Sequence, residues 1–89
     1  MWFEEEGKMT GTLYLCATPI GNLGDITPRV LDTLREADLI AAEDTRNSRR
    51  LLTHFEIRTP MTSYHEYNRV EKAEQILCWL RDGKNIALI

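Results

Sequence analysis

Cysteine is scarce in this 89-residue chain: Cys16 and Cys78 stand far apart, with no CxxC pair and no histidine at ligand spacing. That count leaves no basis for a disulfide scaffold or a cysteine-ligated zinc centre. Each cysteine lies in an apolar stretch, so both are expected as buried, reduced thiols. Long apolar runs are missing too, and nothing approaches the ~20 residues that a membrane-spanning helix needs. The N-terminus reads Met1-Trp-Phe-Glu-Glu-Glu6, with acid where a secretory signal needs a basic start. No membrane partner is expected, and the expected compartment is the cytoplasm. Repeats, low-complexity stretches and linkers are absent from the sequence as well. Residues 1–11 are read as a leader without fixed structure.

Net charge is small. Eleven basic against fourteen acidic side chains give −3, and Glu4, Glu5 and Glu6 alone account for that excess. Bulk acidity therefore says little about partners, and local clustering carries more information. Arg46, Arg49 and Arg50 fall within five residues of one another. A chain of this length buries roughly 60–65% of its unfolded surface, which leaves room for one modest core.

Thr12–Ala17 is a short run of strand formers that ends in a loop, Thr18 to Asp25, containing proline and glycine. Thr27-Pro28 then predicts a helix start, with threonine capping and proline at the first helical position. Val30, Leu31, Leu34 and Ala37 supply its buried stripe. Leu39–Ala42 reads as a second strand. A second helix is predicted from about Thr45 to His54, capped by Asp44 or Thr45. At 100° per residue Leu51, Leu52 and Phe55 share one face, and the three arginines take the opposite one. A weak third strand spans Thr59–Tyr64. Asn68-Arg-Val-Glu71 has the spacing of a capping box and opens a third helix, expected to bury Val70, Ala73, Ile76, Leu77 and Leu80 and to stop at Gly83. Asn85–Ile89 is a fourth strand. The order β-α-β-α-β-α-β predicts an α/β fold: an open parallel sheet with crossover helices. A buried parallel strand is normally followed by a loop and a helix. A chain stopping on Ile86-Ala-Leu-Ile89 is therefore expected to be a piece of something longer.

In such a sheet ligands sit beyond the carboxyl ends of the strands. Three loops gather there: Thr18–Thr27, Glu43–Arg46 and His65–Arg69. In the first, Gly21 and Gly24 permit close backbone approach to a ligand, although spacing alone favours a plain turn leading into the proline-started helix. It is neither a dinucleotide fingerprint nor a phosphate loop, since GxGxxG and Gly-Lys-Ser/Thr are both absent. In the second, Asp44 suits a helix cap, or a carboxylate facing a ligand with Arg46 beside it. The arginine face suits phosphate binding, or simple solvation. In the third, His65 is a candidate proton acceptor and Tyr64 or Tyr67 a candidate stacking platform, each also common on surface loops.

Three stretches in order carry a family resemblance: Leu15-Cys-Ala-Thr-Pro-Ile-Gly-Asn-Leu-Gly-Asp-Ile-Thr-Pro-Arg29, Glu43-Asp-Thr-Arg46 followed by Leu51-Leu52, and Ser63-Tyr-His-Glu-Tyr-Asn68. From about Gly11 to Ile89 the chain resembles the N-terminal part of the bacterial small-subunit rRNA methyltransferase I family, within the tetrapyrrole methylase superfamily. The resemblance implies S-adenosyl-L-methionine as methyl donor and methylation of a cytidine ribose 2′-oxygen in small-subunit (16S) ribosomal RNA. It also implies a homodimer of two-domain protomers with the donor held between domains. On this reading residues 12–89 form a truncated N-terminal α/β domain, inactive alone. Gly21-Asn22 stands where the wider superfamily has Gly-Asp, and Pro19 occupies an upstream glycine position, as in the rRNA branch. The family's Ser-Asp-Ala-Gly-Thr-Pro loop is expected directly after Ile89.

Carried over residue by residue, the resemblance puts Pro19, Gly21 and Asn22 near the cofactor. Asp44, His65 and Glu66 are candidate bases, with Arg46 beside them. Arg46, Tyr64 and Asn68 line the RNA substrate, and Arg49 and Arg50 hold its phosphates. The reaction needs alignment and proton removal, and no metal. Two rivals stand beside this reading. A porphyrin or corrin methylase would lack a basic surface around its cleft. A non-catalytic nucleic-acid-binding module would bind RNA without consuming a methyl donor.

Overall fold

Thr27 and Pro28 open the first helix as the sequence predicts: the Thr27 hydroxyl accepts from the Val30 N–H at 3.2 Å, and Pro28 occupies the first helical position. In the computed structural model, residues 10–17, 23–65 and 67–89 are described. Within them, strands β1 (Leu13–Leu15), β2 (Leu39–Ala42), β3 (Met61–Ser63) and β4 (Ile86–Leu88) alternate with helices α1 (Pro28–Glu36), α2 (Thr45–His54) and α3 (Arg69–Arg81). The strands pair in parallel in the order β1-β4-β2-β3. The expected α/β fold with crossover helices is therefore present. Strands β1, β3 and β4 are each a little shorter than the apolar runs that announce them.

Register explains how two helical layers are buried on so short a sheet. Ile40 pairs with Ala87 and Leu39 with Ile86, and successive residues of a strand face opposite sides. Ile40 and Ala87 join Leu34 of α1 and Leu51 and Leu52 of α2 in one core. Ala41 and Ile86 join Ile76 and Leu80 of α3 in another. The sheet is thus sandwiched, with α1 and α2 on one face and α3 on the other. Leu34, Ile40 and Ile86 are fully buried, each worth ~1.5–3 kcal/mol of apolar transfer.

Helix α3 departs from expectation in two ways. Val70 and Leu77 do not belong to its buried stripe: they are 77% and 38% exposed. At 100° per residue they lie 100–120° round the helix from Ile76, while Trp79 fills the opposite flank of the core. The stripe is rotated towards Trp79 and Lys72, whose Nζ donates to Thr62 Oγ1 at 3.1 Å. The capping box is also absent. No side chain caps α3, because the Asn68 side chain turns back towards β3. The other end is as predicted. Gly83 adopts φ +90°, its N–H reaches the Leu80 carbonyl at 3.0 Å, and the Lys84 N–H reaches that of Trp79 at 3.0 Å. This paired closure requires a left-handed residue, which glycine supplies without strain.

The cysteines also correct the sequence reading. Cys16 is half-buried and Cys78 is exposed on α3; an apolar sequence neighbourhood does not fix which side of a helix a residue takes. Of the expected leader, Thr10 and Gly11 are described and are tied down. The Gly11 N–H donates to the Leu80 carbonyl at 2.9 Å, and a Cβ at Gly11 would collide with the Lys84 carbonyl.

Candidate functional site at the carboxyl edge of the sheet

Parallel pairing brings every strand to its carboxyl end at the same edge. There the chain leaves β2 for α2 on one face, whereas its neighbour β3 feeds α3 on the other. Connections that part in this way mark the crevice position between two strand ends where ligands usually sit in an open α/β sheet. Glu43 and Asp44 flank this position on one side, and Tyr64, His65, Tyr67 and Asn68 follow β3 on the other.

Arg69 spans the crevice. Its Nη2 lies 3.8 Å from Glu43 Oε2, and its guanidinium sits 5.8 Å from the centroid of the Tyr64 ring. Both charged side chains are more than half exposed, at 53% and 71%, so the pair contributes little to stability. Its effect is geometric, since it ties the β2–α2 loop to the β3–α3 loop. The sequence reading named Glu43 and Arg69 as loop residues but did not pair them. The available signal was their position, Glu43 immediately beyond the predicted second strand and Arg69 closing the third loop.

Asn68 folds the β3–α3 loop on itself. Its Oδ1 accepts from the His65 N–H at 2.8 Å, and its Nδ2 donates to Ser63 Oγ at 2.9 Å. Both ends of the amide are therefore engaged, one within the loop and the other at the end of β3. His65 is half-buried, and its Nδ1 accepts from the Tyr67 N–H at 3.2 Å. In the neutral ring this places the proton on Nε2, which makes that nitrogen a donor. The Tyr67 ring stands edge-on to His65 at 6.1 Å and is 91% exposed.

Asp44 caps α2: Oδ1 accepts from the Asn47 N–H at 3.1 Å and Oδ2 from Asn47 Nδ2 at 2.8 Å. A carboxylate has about four acceptor sites, so it keeps lone pairs for a further partner. Beyond Asp44 the helix divides as its pattern predicts. Leu51 and Leu52 are buried, while Arg46, Arg49 and Arg50 are all exposed. The three arginines line an open concavity of about 720 Å³ with Thr45, Thr53, His54 and Leu23. Thr53, His54 and Leu23 were not among the sequence-predicted site residues. Pro19, Gly21, Asn22 and Glu66 lie outside the described residues.

Residues 12–89 match the family of tetrapyrrole (corrin/porphyrin) methylases. The chain belongs to that family. Within it, the chain is similar to proteins named ribosomal RNA small subunit methyltransferase I. It is 58% identical to that of Synechocystis sp. over 79 residues, covering 89% of this chain and 28% of the relative. It is 54% identical to that of Bacillus subtilis over 79 residues, 89% of this chain and 27% of the relative. The Haemophilus influenzae protein is 54% identical over 81 residues, 91% of this chain and 29% of the relative. This tetrapyrrole methylase chain thus spans between a quarter and a third of the length of the curated relatives it matches.

Proposed function

We propose that the protein containing this chain transfers a methyl group from S-adenosyl-L-methionine to the ribose 2′-oxygen of a cytidine in small-subunit (16S) ribosomal RNA. The observation that carries this reading is the identity of 54–58% over 79–81 residues to three relatives named as small-subunit ribosomal RNA methyltransferases. The arginine-lined helix beside the crevice favours an RNA substrate over a porphyrin or corrin.

When bound, the sulfonium donor supplies an electrophilic methyl group. The described residues would align the ribose and accept its proton. Asp44 is the better placed base of the two described candidates, because it keeps free lone pairs while His65 Nδ1 is already engaged. Glu66 is the third candidate, and Pro19, Gly21 and Asn22 are assigned to the donor side. His65 Nε2 offers a hydrogen bond to a substrate oxygen. Arg46, in the first turn of α2, orients the reacting nucleotide beside Tyr64. Asn68 acts by holding the loop that carries His65. The chain of 89 residues supplies one part of the site, and turnover is assigned to the longer, dimeric protein in the cytoplasm.

The test incubates the full-length protein with methyl-labelled donor and unmethylated small ribosomal subunits. Label should enter the rRNA, and the modified linkage should resist alkaline cleavage, because a blocked 2′-oxygen cannot attack its phosphate. Label on a base, or on a tetrapyrrole in place of RNA, overturns the reading.

A further inference from the structure

The chain carries a net charge of −3, yet residues 45–55 contain no aspartate or glutamate. Along this acid-free helix Arg46, Arg49, Arg50, Thr53 and His54 recur at helical spacing, and all of them line the 720 Å³ concavity. The two carboxylates that precede the helix are engaged elsewhere, Asp44 with Asn47 and Glu43 with Arg69. Among the described residues none of the three guanidiniums has an ion-pair or hydrogen-bond partner, whereas Arg35 and Arg69 do. Three unpaired guanidiniums in one hollow repel each other, and an anion placed among them relieves that repulsion.

The length of the stripe suits a polymer better than a single ion. From Arg46 to His54 the helix rises about 12 Å, at ~1.5 Å per residue. Thr45 and Thr53 add hydroxyls of the kind that bind phosphate oxygens. The His54 ring, nearly perpendicular to that of Phe55 at 4.7 Å between centroids, offers a flat face to a base, and Leu23 adds an apolar wall. A basic groove interleaved with a stacking ring is the recurring design for single-stranded nucleic acid.

We propose that the α2 concavity is a docking track for the phosphodiester backbone of single-stranded RNA, running from Arg46 away from the crevice to a terminal station made by Thr53 and His54. It rests on the proposed rRNA reading only for the choice of RNA as polyanion. Binding in the track is independent of base sequence and of the methyl donor. Arg49 and Arg50 hold phosphates, while His54 stacks on the base of the nucleotide furthest from the crevice.

The experiment measures anisotropy of a labelled single-stranded RNA with the full-length protein across a salt series, without methyl donor. Replacing Arg49 and Arg50 together by alanine should flatten the slope of log affinity against log salt by roughly 0.7 for each phosphate that is no longer neutralised. The paired Arg49→Lys and Arg50→Lys protein, which keeps the charge, should retain most of the slope. His54→Ala should weaken binding about fivefold or more at unchanged slope, because stacking is worth ~1–3 kcal/mol per base. An unchanged slope in the alanine pair shows that the face is only solvated and overturns the proposal. Competition by a polyglutamate peptide as effective as RNA of equal charge overturns it also. Methyl transfer to rRNA with an unchanged slope would defeat the track and leave the enzyme reading standing. Track binding without any methyl transfer to rRNA would do the reverse.

Discussion

The two thiols differ in setting, and that difference has chemical consequences. Cys16 lies half-buried against the α1 and α2 core, and desolvation pushes its thiol above the ordinary value. Cys78 stands exposed on α3. Because the thiolate is the reactive form, a maleimide or iodoacetamide should label Cys78 first at mildly alkaline pH, with Cys16 lagging until the protein unfolds. Peptide mapping after timed quenching reads the order, and equal rates would show that Cys16 is not shielded. The same shift has a defined sign in stability. Below the ordinary thiol value both states hold the proton, so Cys16 adds no pH dependence. As pH rises through that value the unfolded chain loses its proton first, and the fold weakens.

Asn68 makes a second case at this scale. Its amide joins Ser63 Oγ and the His65 N–H, both part-buried. Asn68→Ala leaves a donor and an acceptor unpaired, and should cost about 1–2 kcal/mol. Chemical denaturation of the full-length protein checks this. Asn68→Asp can still accept from the His65 N–H, so it should lose less. An alanine variant as stable as the parent would mean that water replaces the amide without penalty.

Helix ends were legible in the sequence wherever one residue type does the work. Thr27, Pro28, Asp44 and Gly83 act where their chemistry predicts, because caps and left-handed turns depend on the backbone within a few residues. Asn68 has the right chemistry for a cap and does not cap, since Ser63 and the His65 N–H, brought near by the turn after β3, claim its amide. Val70 and Leu77 fit a helical stripe that Trp79 displaces, a decision made by packing against the sheet and not by periodicity. The crevice between β2 and β3 was legible only as a set of loops. Its location depends on α2 and α3 taking opposite faces, which strand order decides. At this scale Asp44→Ala should remove the α2 cap and cost about 1 kcal/mol, and Asp44→Asn, which can still accept from the Asn47 N–H, should recover most of it. Equal losses in both variants, read by chemical denaturation, would point to the carboxylate charge at the helix start in place of the cap bond.

On the scale of the whole molecule the sheet works as a partition. Ile40 and Ala41 are adjacent in β2, yet each belongs to a different core. The two cores share strand backbones but no buried side chain, so disturbances on one face should reach the other weakly. Ile40→Val trims the α1 and α2 side, and Ile76→Val trims the α3 side. Each should cost about 0.5–1.5 kcal/mol, from lost apolar burial and a small residual void. Because the changes lie on opposite faces, their combined effect in the full-length protein should equal the sum within about 0.5 kcal/mol. The comparison that gives the result meaning is Ile40→Val with Ile57→Val, both within the core on the α1 and α2 side. There both voids open in one continuous core whose side chains can relax together, so the pair should depart from additivity. Equilibrium unfolding of the three single and two double variants supplies both cycles. Coupling across the sheet as large as coupling within one face would show that β2 and β4 transmit packing strain between layers, and that the crevice loops and the arginine track respond as one body.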